Sequence, residues 1–63
     1  MLIGDKIRSL RKNKNITQTQ LAEVLSVSAQ SVSKWENGTS DPSTSNLLAL
    51  AKLYGLSAET LLQ

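Results

Sequence analysis

The chain has 63 residues, so it forms one domain at most, and folds of this size usually need disulfides, a metal or very good helix packing. It has no cysteine and no histidine, which excludes a disulfide framework, thiol chemistry and the usual zinc ligand sets. The net charge of +2 is unevenly spread, because residues 1–38 carry six basic and three acidic side chains whereas residues 39–63 carry one basic and two acidic ones. This asymmetry is compatible with a polyanionic partner at the N-terminal half, and equally with a solvated helical face.

Apolar spacing and capping residues predict the first three helices. The first is indicated by apolar residues at helical spacing, Ile3, Ile7 and Leu10, and is expected to end at residues 13–15. Thr17 and Gln20 match a capping box for a second helix that ends near Ser26. Ser28 then caps a third helix, which Gly38 closes. The apolar residues expected to face inward in these two helices are Leu21, Ala22, Leu25, Val32 and Trp35.

Two further helices follow a turn at Pro42. Ser43, or alternatively Asp41, caps the fourth helix, and Gly55 terminates it. Its buried stripe is predicted to comprise Leu47, Leu50, Ala51 and Tyr54, with the Tyr54 hydroxyl reaching water. Ser57 caps a short fifth helix from which both leucines, Leu61 and Leu62, are expected to pack back. The sequence therefore predicts an all-α fold, a compact bundle of five short helices in a single domain, residues 1–63.

Residues 18–37 are the most informative segment. Two helices joined only by residues 26–28 cannot lie antiparallel and must cross steeply. Such a corner needs a small residue where the helices meet and a tight, capped turn, which Ala22 and Ser28 supply. The segment therefore predicts a helix-turn-helix, although helical bundles that bind no DNA can contain similar helix pairs.

The outward face of the third helix favours DNA binding. With Val32 and Trp35 inward, a turn of about 100° per residue places Ala29 at the flank and four polar side chains outside, Gln30, Ser33, Lys34 and Asn37. None of the four is acidic, and such side chains can bond base edges and phosphates. The spacing of three between Val32 and Trp35 favours a core position for Trp35. A base-stacking role for this tryptophan is the alternative.

A distinctive pattern runs through the chain: Thr17-Gln18, Leu21-Ala22, Val27-Ser28, and Val32-Ser33-Lys34-Trp35-Glu36-Asn37-Gly38. In this pattern the sequence resembles the phage Cro and repressor family of helix-turn-helix regulators, over essentially its whole length. The resemblance implies a lambda-repressor-like domain that binds a roughly palindromic operator in double-stranded DNA as a homodimer, acting as a repressor without a cofactor.

The resemblance also implies roles for individual residues. Gln18 would bond a phosphate and the first recognition residue, and Asn37 would bond a phosphate beyond the helix. The residues expected to face the major groove are Ser28, Ala29, Gln30, Ser33 and Lys34. Among these, Gln30 would pair with adenine, Lys34 with guanine, and Ala29 would touch a thymine methyl.

Three other features follow from the comparison with this family. Ser26 stands where the family often has glycine, so the turn is expected to differ slightly in backbone geometry. The loop after the third helix, Thr39-Ser40-Asp41, lacks the family's frequent basic residues, which suggests modest affinity for a monomer. Arg11 and Glu36 are expected to form a partly buried ion pair between the first and third helices; two independent surface charges are the alternative.

A protein-interaction module of the same fold, such as an antitoxin or a regulator's docking domain, is the rival interpretation. An enzyme is disfavoured, because the chain has no histidine or cysteine to act as base or nucleophile and no glycine-rich phosphate loop. The longest apolar run, residues 47–51, is too short for a membrane span, and no signal peptide pattern is present. We therefore expect a cytoplasmic protein, with dimerisation through its apolar C-terminal end or through a further domain.

Overall fold

The computed structural model describes residues 3–62, and in this span the chain forms five α-helices. They are α1 (Ile3–Asn13), α2 (Gln18–Leu25), α3 (Ala29–Asn37), α4 (Thr44–Tyr54) and α5 (Ala58–Leu62). The predicted all-α bundle is therefore confirmed, and the Cα positions fit within 25 × 22 × 21 Å. Among the residues described, no helix is both long and apolar enough to cross a membrane.

The helices begin and end at the residues whose chemistry predicts it. Thr17 and Gln20 form a complete capping box, in which the Gln20 backbone N–H donates to Thr17 Oγ1 at 3.0 Å and the Thr17 N–H donates to Gln20 Oε1 at 2.8 Å. Ser43, rather than Asp41, caps α4, because its Oγ accepts the Asn46 N–H at 3.2 Å. The remaining predicted caps and closing glycines also take these roles: Ser28, Ser57, Gly38 and Gly55.

Among residues 3–62, eight buried apolar side chains from the five helices form the core. They are Ile7, Leu21, Ala22, Val32, Trp35, Leu50, Ala51 and Leu61. Trp35 is only 4% exposed, so it is a core residue and not a stacking platform. Leu62 differs from its prediction, since 57% of its surface is exposed. A helix of only one turn and a half has one inward face, which Leu61 occupies.

A turn and a glycine bring α3 against the two helices before it. The turn between α2 and α3 places Ser26 in the left-handed conformation, with φ 58° and ψ 40°. This is the backbone conformation that glycine favours, so the serine adopts a conformation that is strained for a residue with a Cβ. Gly4 in α1 lies against the backbone of α3, where a Cβ would meet the carbonyl oxygens of Trp35 and Glu36.

Candidate nucleic-acid interface

The outward side of α3 carries four polar residues, Gln30, Ser33, Lys34 and Asn37, which we call the recognition face. Gln30, Lys34 and Asn37 are exposed and Ser33 is half-buried. Beneath them Val32 is fully buried and Trp35 nearly so. Glu36, the only acidic residue of α3, is 4% exposed, so its charge is withdrawn from this surface. The recognition face therefore offers amide, hydroxyl and ammonium groups without a carboxylate among them.

The ends of α3 hold two of the predicted site residues in local hydrogen bonds. Ser28 caps the helix, and its Oγ accepts the Ser31 N–H at 3.1 Å and contacts the Ser31 hydroxyl oxygen at 2.9 Å. Asn37 Oδ1 accepts the backbone N–H of Thr39 at 2.9 Å and also bonds the Thr39 hydroxyl. This bond leaves the Asn37 amide NH₂ as its outward donor. Ala29 is half-buried at the flank.

Beside the recognition face, a buried carboxylate joins three helices. Glu36 in α3 accepts hydrogen bonds from Arg8 and Arg11 in α1 and from Gln18 in α2, and we call these four residues the Glu36 cluster. Arg11 binds in a bidentate manner, with Nε 2.7 Å from Oε2 and Nη2 3.1 Å from Oε1. Its Nη1 donates to the Ile16 carbonyl oxygen at 3.0 Å. The ion pair expected between Arg11 and Glu36 is therefore formed, and the alternative of two independent charges is wrong.

Gln18 does not bond the first recognition residue as expected, but forms a hydrogen bond with Glu36. Its Nε2 donates to Glu36 Oε1 at 3.1 Å, so the residue that it contacts lies near the end of α3 and not at its start. Gln18 sits at the first position of α2 and is half-buried. Its amide retains a second N–H and a carbonyl oxygen that can face a ligand.

The ionisation of the cluster follows from these contacts. Burial alone would raise the pKa of Glu36, but hydrogen bonds from Arg11 and Gln18, the charge of Arg11 and a hydrogen bond from Arg8 outweigh it and lower that pKa. The hydrogen bond to Glu36 raises the pKa of Arg11 despite partial burial. Glu36 and Arg11 are therefore both charged at neutral pH.

Tyr54 departs from its prediction. Its hydroxyl oxygen is buried and makes no hydrogen bond to residues 3–62, whereas the sequence predicted a hydroxyl in water. Burial raises the pKa of the Tyr54 phenol, with the negative charge of Glu36 adding to the effect and Arg11 opposing it. Lys14 lies over the ring, its Nζ 5.9 Å from the centroid, which helps to shield this edge of the core.

Sequence reasoning missed two participants. Arg8 donates to Glu36 Oε1 at 3.3 Å, and the spacing of three between Arg8 and Arg11, which puts them on one helix face, is a signal that could have indicated it. Gly4 permits the close approach of α1 and α3; a glycine inside a helix is a signal for such an approach. Within residues 3–62 no cluster of acidic side chains suited to a metal ion is found.

Comparison with known proteins agrees with this geometry. The family model for helix-turn-helix proteins matches residues 7–61. The transcriptional regulator DicA of Escherichia coli is 49% identical over 53 residues, 84% of this chain and 39% of DicA. The antitoxin PezA of Streptococcus pneumoniae is 38% identical over 56 residues, 89% of this chain and 35% of PezA. The chain thus spans less than half the length of these relatives.

A solved structure gives the same result for the fold. The crystal structure of the c2 repressor of phage P22 in complex with a synthetic operator matches 100% of this chain and 96% of that chain, with a TM-score of 0.91 and 38% sequence identity. The agreement extends over every helix and includes the segment from α2 to α3. The chain belongs to the helix-turn-helix family, in the Cro/repressor-type group of phage repressors and bacterial transcriptional regulators.

Proposed function

We propose that this chain binds double-stranded DNA sequence-specifically by inserting α3 into the major groove, and that it acts as a transcriptional regulator, a repressor. The observation that carries the proposal is the recognition face itself. It is polar, three of its four residues are exposed, it holds Lys34, and the one acid of its helix is buried behind it. The similar P22 c2 repressor forms a complex with a synthetic operator, which supports DNA as the partner of this chain.

The proposed contacts divide into base readout and backbone positioning. Gln30 pairs with adenine, Lys34 donates to guanine O6 and N7, and Ala29 touches a thymine methyl, while Ser28 and Ser33 contact the groove beside them. Asn37 and Gln18 bond phosphates with their amide N–H groups. Each good bidentate base contact discriminates by about 1–3 kcal/mol.

The proposed assembly is a homodimer on a pseudo-palindromic operator, with half-sites about one helical turn apart. Its affinity should fall steeply with salt as counterions are released. We infer a binding protein and not an enzyme, because the chain has no histidine or cysteine to serve as base or nucleophile. We place it in the cytoplasm, on the nucleoid when bound, with residues 1–63 acting as one domain.

Selection of binding sites from a random duplex library tests the proposal. The wild type should enrich a motif with half-site symmetry, and Gln30→Ala should lose base preference at one position of each half-site. Asn46→Ala on α4, outside the recognition face, is the matched control and should retain the wild-type motif. Failure of the wild type to bind any duplex, even at low salt, would refute DNA binding; an unchanged motif in Gln30→Ala would refute the assignment of Gln30.

A protein-interaction module is the second candidate. Similarity to the antitoxin PezA favours it, and so do three large apolar side chains that are more than half exposed, Val24, Leu48 and Leu62. None of the three belongs to the recognition face, so this role is compatible with DNA binding by α3. The binding-site selection above separates the two, because a module that only binds proteins has no affinity for a duplex.

A further inference from the structure

We propose that Arg8 binds a DNA phosphate. Contacts to the DNA backbone would then come from α1 as well as from Gln18 on α2. This inference rests on the proposed function, and it concerns a residue outside the set expected from the sequence. Three observations carry it: the charge balance of the Glu36 cluster, the crowding at one oxygen of Glu36, and the exposure of the Arg8 side chain.

The Glu36 cluster holds more positive charge than its carboxylate neutralises. Arg8 and Arg11 both bind the single carboxylate of Glu36, which leaves a surplus of one positive charge. Arg11 is 12% exposed and its bidentate bond engages both oxygens of Glu36. The ion pair of Glu36 is therefore complete without Arg8, and the surplus charge is on Arg8.

Arg8 is also the donor most easily released. Glu36 Oε1 accepts from Arg11 and Gln18 at 3.1 Å each and from Arg8 at 3.3 Å, so Arg8 makes the longest of three bonds to one oxygen. Only Nε of Arg8 takes part, and its terminal nitrogens make no hydrogen bond to residues 3–62. These terminal N–H groups form the fork that binds phosphate oxygens.

The position of Arg8 suits a ligand that already contacts α2. Because Arg8 and Gln18 donate to the same oxygen, their side chains lie within a few ångströms of each other. The Arg8 side chain is 46% exposed, whereas that of Glu36 is fully buried. A phosphate held by the Gln18 amide therefore lies within reach of the Arg8 guanidinium, which can turn outward without leaving Glu36 unpaired.

The salt dependence of DNA binding tests this inference, with fluorescence anisotropy on a labelled duplex selected by the wild type. Each phosphate contact contributes about 0.9 to the slope of log affinity against log salt. Because the duplex holds two protomers, Arg8→Gln removes two such contacts and should reduce the magnitude of the slope by about 1.8, which makes the affinity loss between 50 and 200 mM salt about twelvefold smaller. Arg8→Lys keeps the charge and should restore most of the slope. Lys52→Gln removes an exposed charge near the end of α4 and should leave the slope at the wild-type value.

The outcomes distinguish this inference from the function on which it rests. A wild-type slope in Arg8→Gln, with only a lower melting temperature, would show that Arg8 serves Glu36 alone and would overturn the inference while leaving DNA binding intact. If Arg8→Gln does not fold, the Nε–Hε resonance of Arg8 in the wild type decides: it should shift when the duplex is added, and an unmoved resonance overturns the inference. A wild type that binds no duplex refutes the proposed function, and the inference with it.

Discussion

Glu36 fixes the orientation of α3 relative to α1 and α2. A buried carboxylate without partners is strongly unfavourable, and the hydrogen bonds from Arg8, Arg11 and Gln18 offset that cost. Because these donors come from α1 and α2, the bonds form only when α3 has one particular orientation. A single residue, Glu36, therefore contributes no charge to the recognition face but holds α3, which carries that face, in position.

Glu36→Gln is therefore expected to lower the free energy of unfolding by about 3 kcal/mol or more, since it leaves the partly buried Arg11 without an opposite charge. Urea denaturation measures the change. Glu23→Gln, an exposed glutamate of α2, is the matched control and should stay within about 0.5 kcal/mol of the wild type. Equal stabilities for the two variants would show that the ion pair contributes nothing.

The effect of Glu36→Gln should also depend on pH. The pKa of Glu36 is lowered on folding, so its contribution to stability is complete above the ordinary glutamate pKa of about 4.3 and is lost as the pH falls through the lower folded value. The stability difference between wild type and Glu36→Gln should therefore be constant near neutral pH and shrink below about pH 4. A difference that persists unchanged at pH 2 contradicts this account of the carboxylate.

Ser26 is a second residue with a consequence that can be measured. Its left-handed backbone is strained for a side chain with a Cβ, whereas glycine adopts it freely. Ser26→Gly should raise the free energy of unfolding by about 0.5–1 kcal/mol, the relief of strain less the added entropy of the unfolded chain. Ser9→Gly, at an exposed position within α1, should lower it by about 0.3–0.5 kcal/mol in the same thermal or urea assay. Destabilisation by both glycines would refute the strain at Ser26.

At the scale of helices, the contact between α1 and α3 determines whether the Glu36 cluster can form. Gly4 allows the backbones to approach, since a Cβ there would lie 2.9 Å from the Glu36 carbonyl oxygen and closer still to that of Trp35. The opposing atoms belong to the backbone, so they cannot move aside as a flexible side chain would. Separating the two helices would lengthen the bonds from Arg8 and Arg11 to Glu36.

Gly4→Ala distinguishes packing from helix propensity, because the two effects differ in sign. Propensity alone favours alanine by about 1 kcal/mol. The forced separation of α1 from α3 costs about 1–3 kcal/mol or more, so we expect net destabilisation in urea denaturation. Ser9→Ala on the exposed side of α1 should be stabilising by a few tenths of a kcal/mol. A stabilised Gly4→Ala variant would contradict the close approach.

The helix boundaries could be predicted from sequence because caps and closing glycines act locally. The caps form hydrogen bonds with backbone groups only a few residues away, as Thr17, Gln20 and Ser43 do, and Gly55 ends α4 by its own left-handed conformation. None of these effects depends on the rest of the chain. The inward face of α3 could also be predicted, because the helical spacing of its apolar residues is a local property. Even the outward set of polar residues needed no knowledge of the other helices.

The parts that sequence could not give depend on the angles between helices. The bond from Gln18 to Glu36 and the sharing of Glu36 by Arg8 require the crossing of α1, α2 and α3 to be known. The buried hydroxyl of Tyr54 depends likewise on how α4 meets the other helices. Helical periodicity gives the direction of a side chain about its own axis and not the neighbour that it meets.

At the scale of the whole molecule, size limits how DNA can be approached. The Cα extents of 25 × 22 × 21 Å exceed the width of the major groove, which is about 12 Å, so the domain as a whole does not fit into the groove and only one of its helices can enter. Half-sites one turn apart have centres separated by about 34–36 Å, which leaves room for two such domains side by side. The proposed dimer on a palindromic operator is therefore sterically compatible with these dimensions.

Contact between α3 and DNA can be tested by chemical-shift mapping of ¹⁵N-labelled protein titrated with its selected duplex. We predict that the largest backbone amide shifts fall at the start of α2 and along the exposed side of α3, from Gln18 and from Gln30 to Asn37, with small shifts in α5. Largest shifts in α4 and α5, with the signals of Gln30 and Lys34 unmoved, would contradict it.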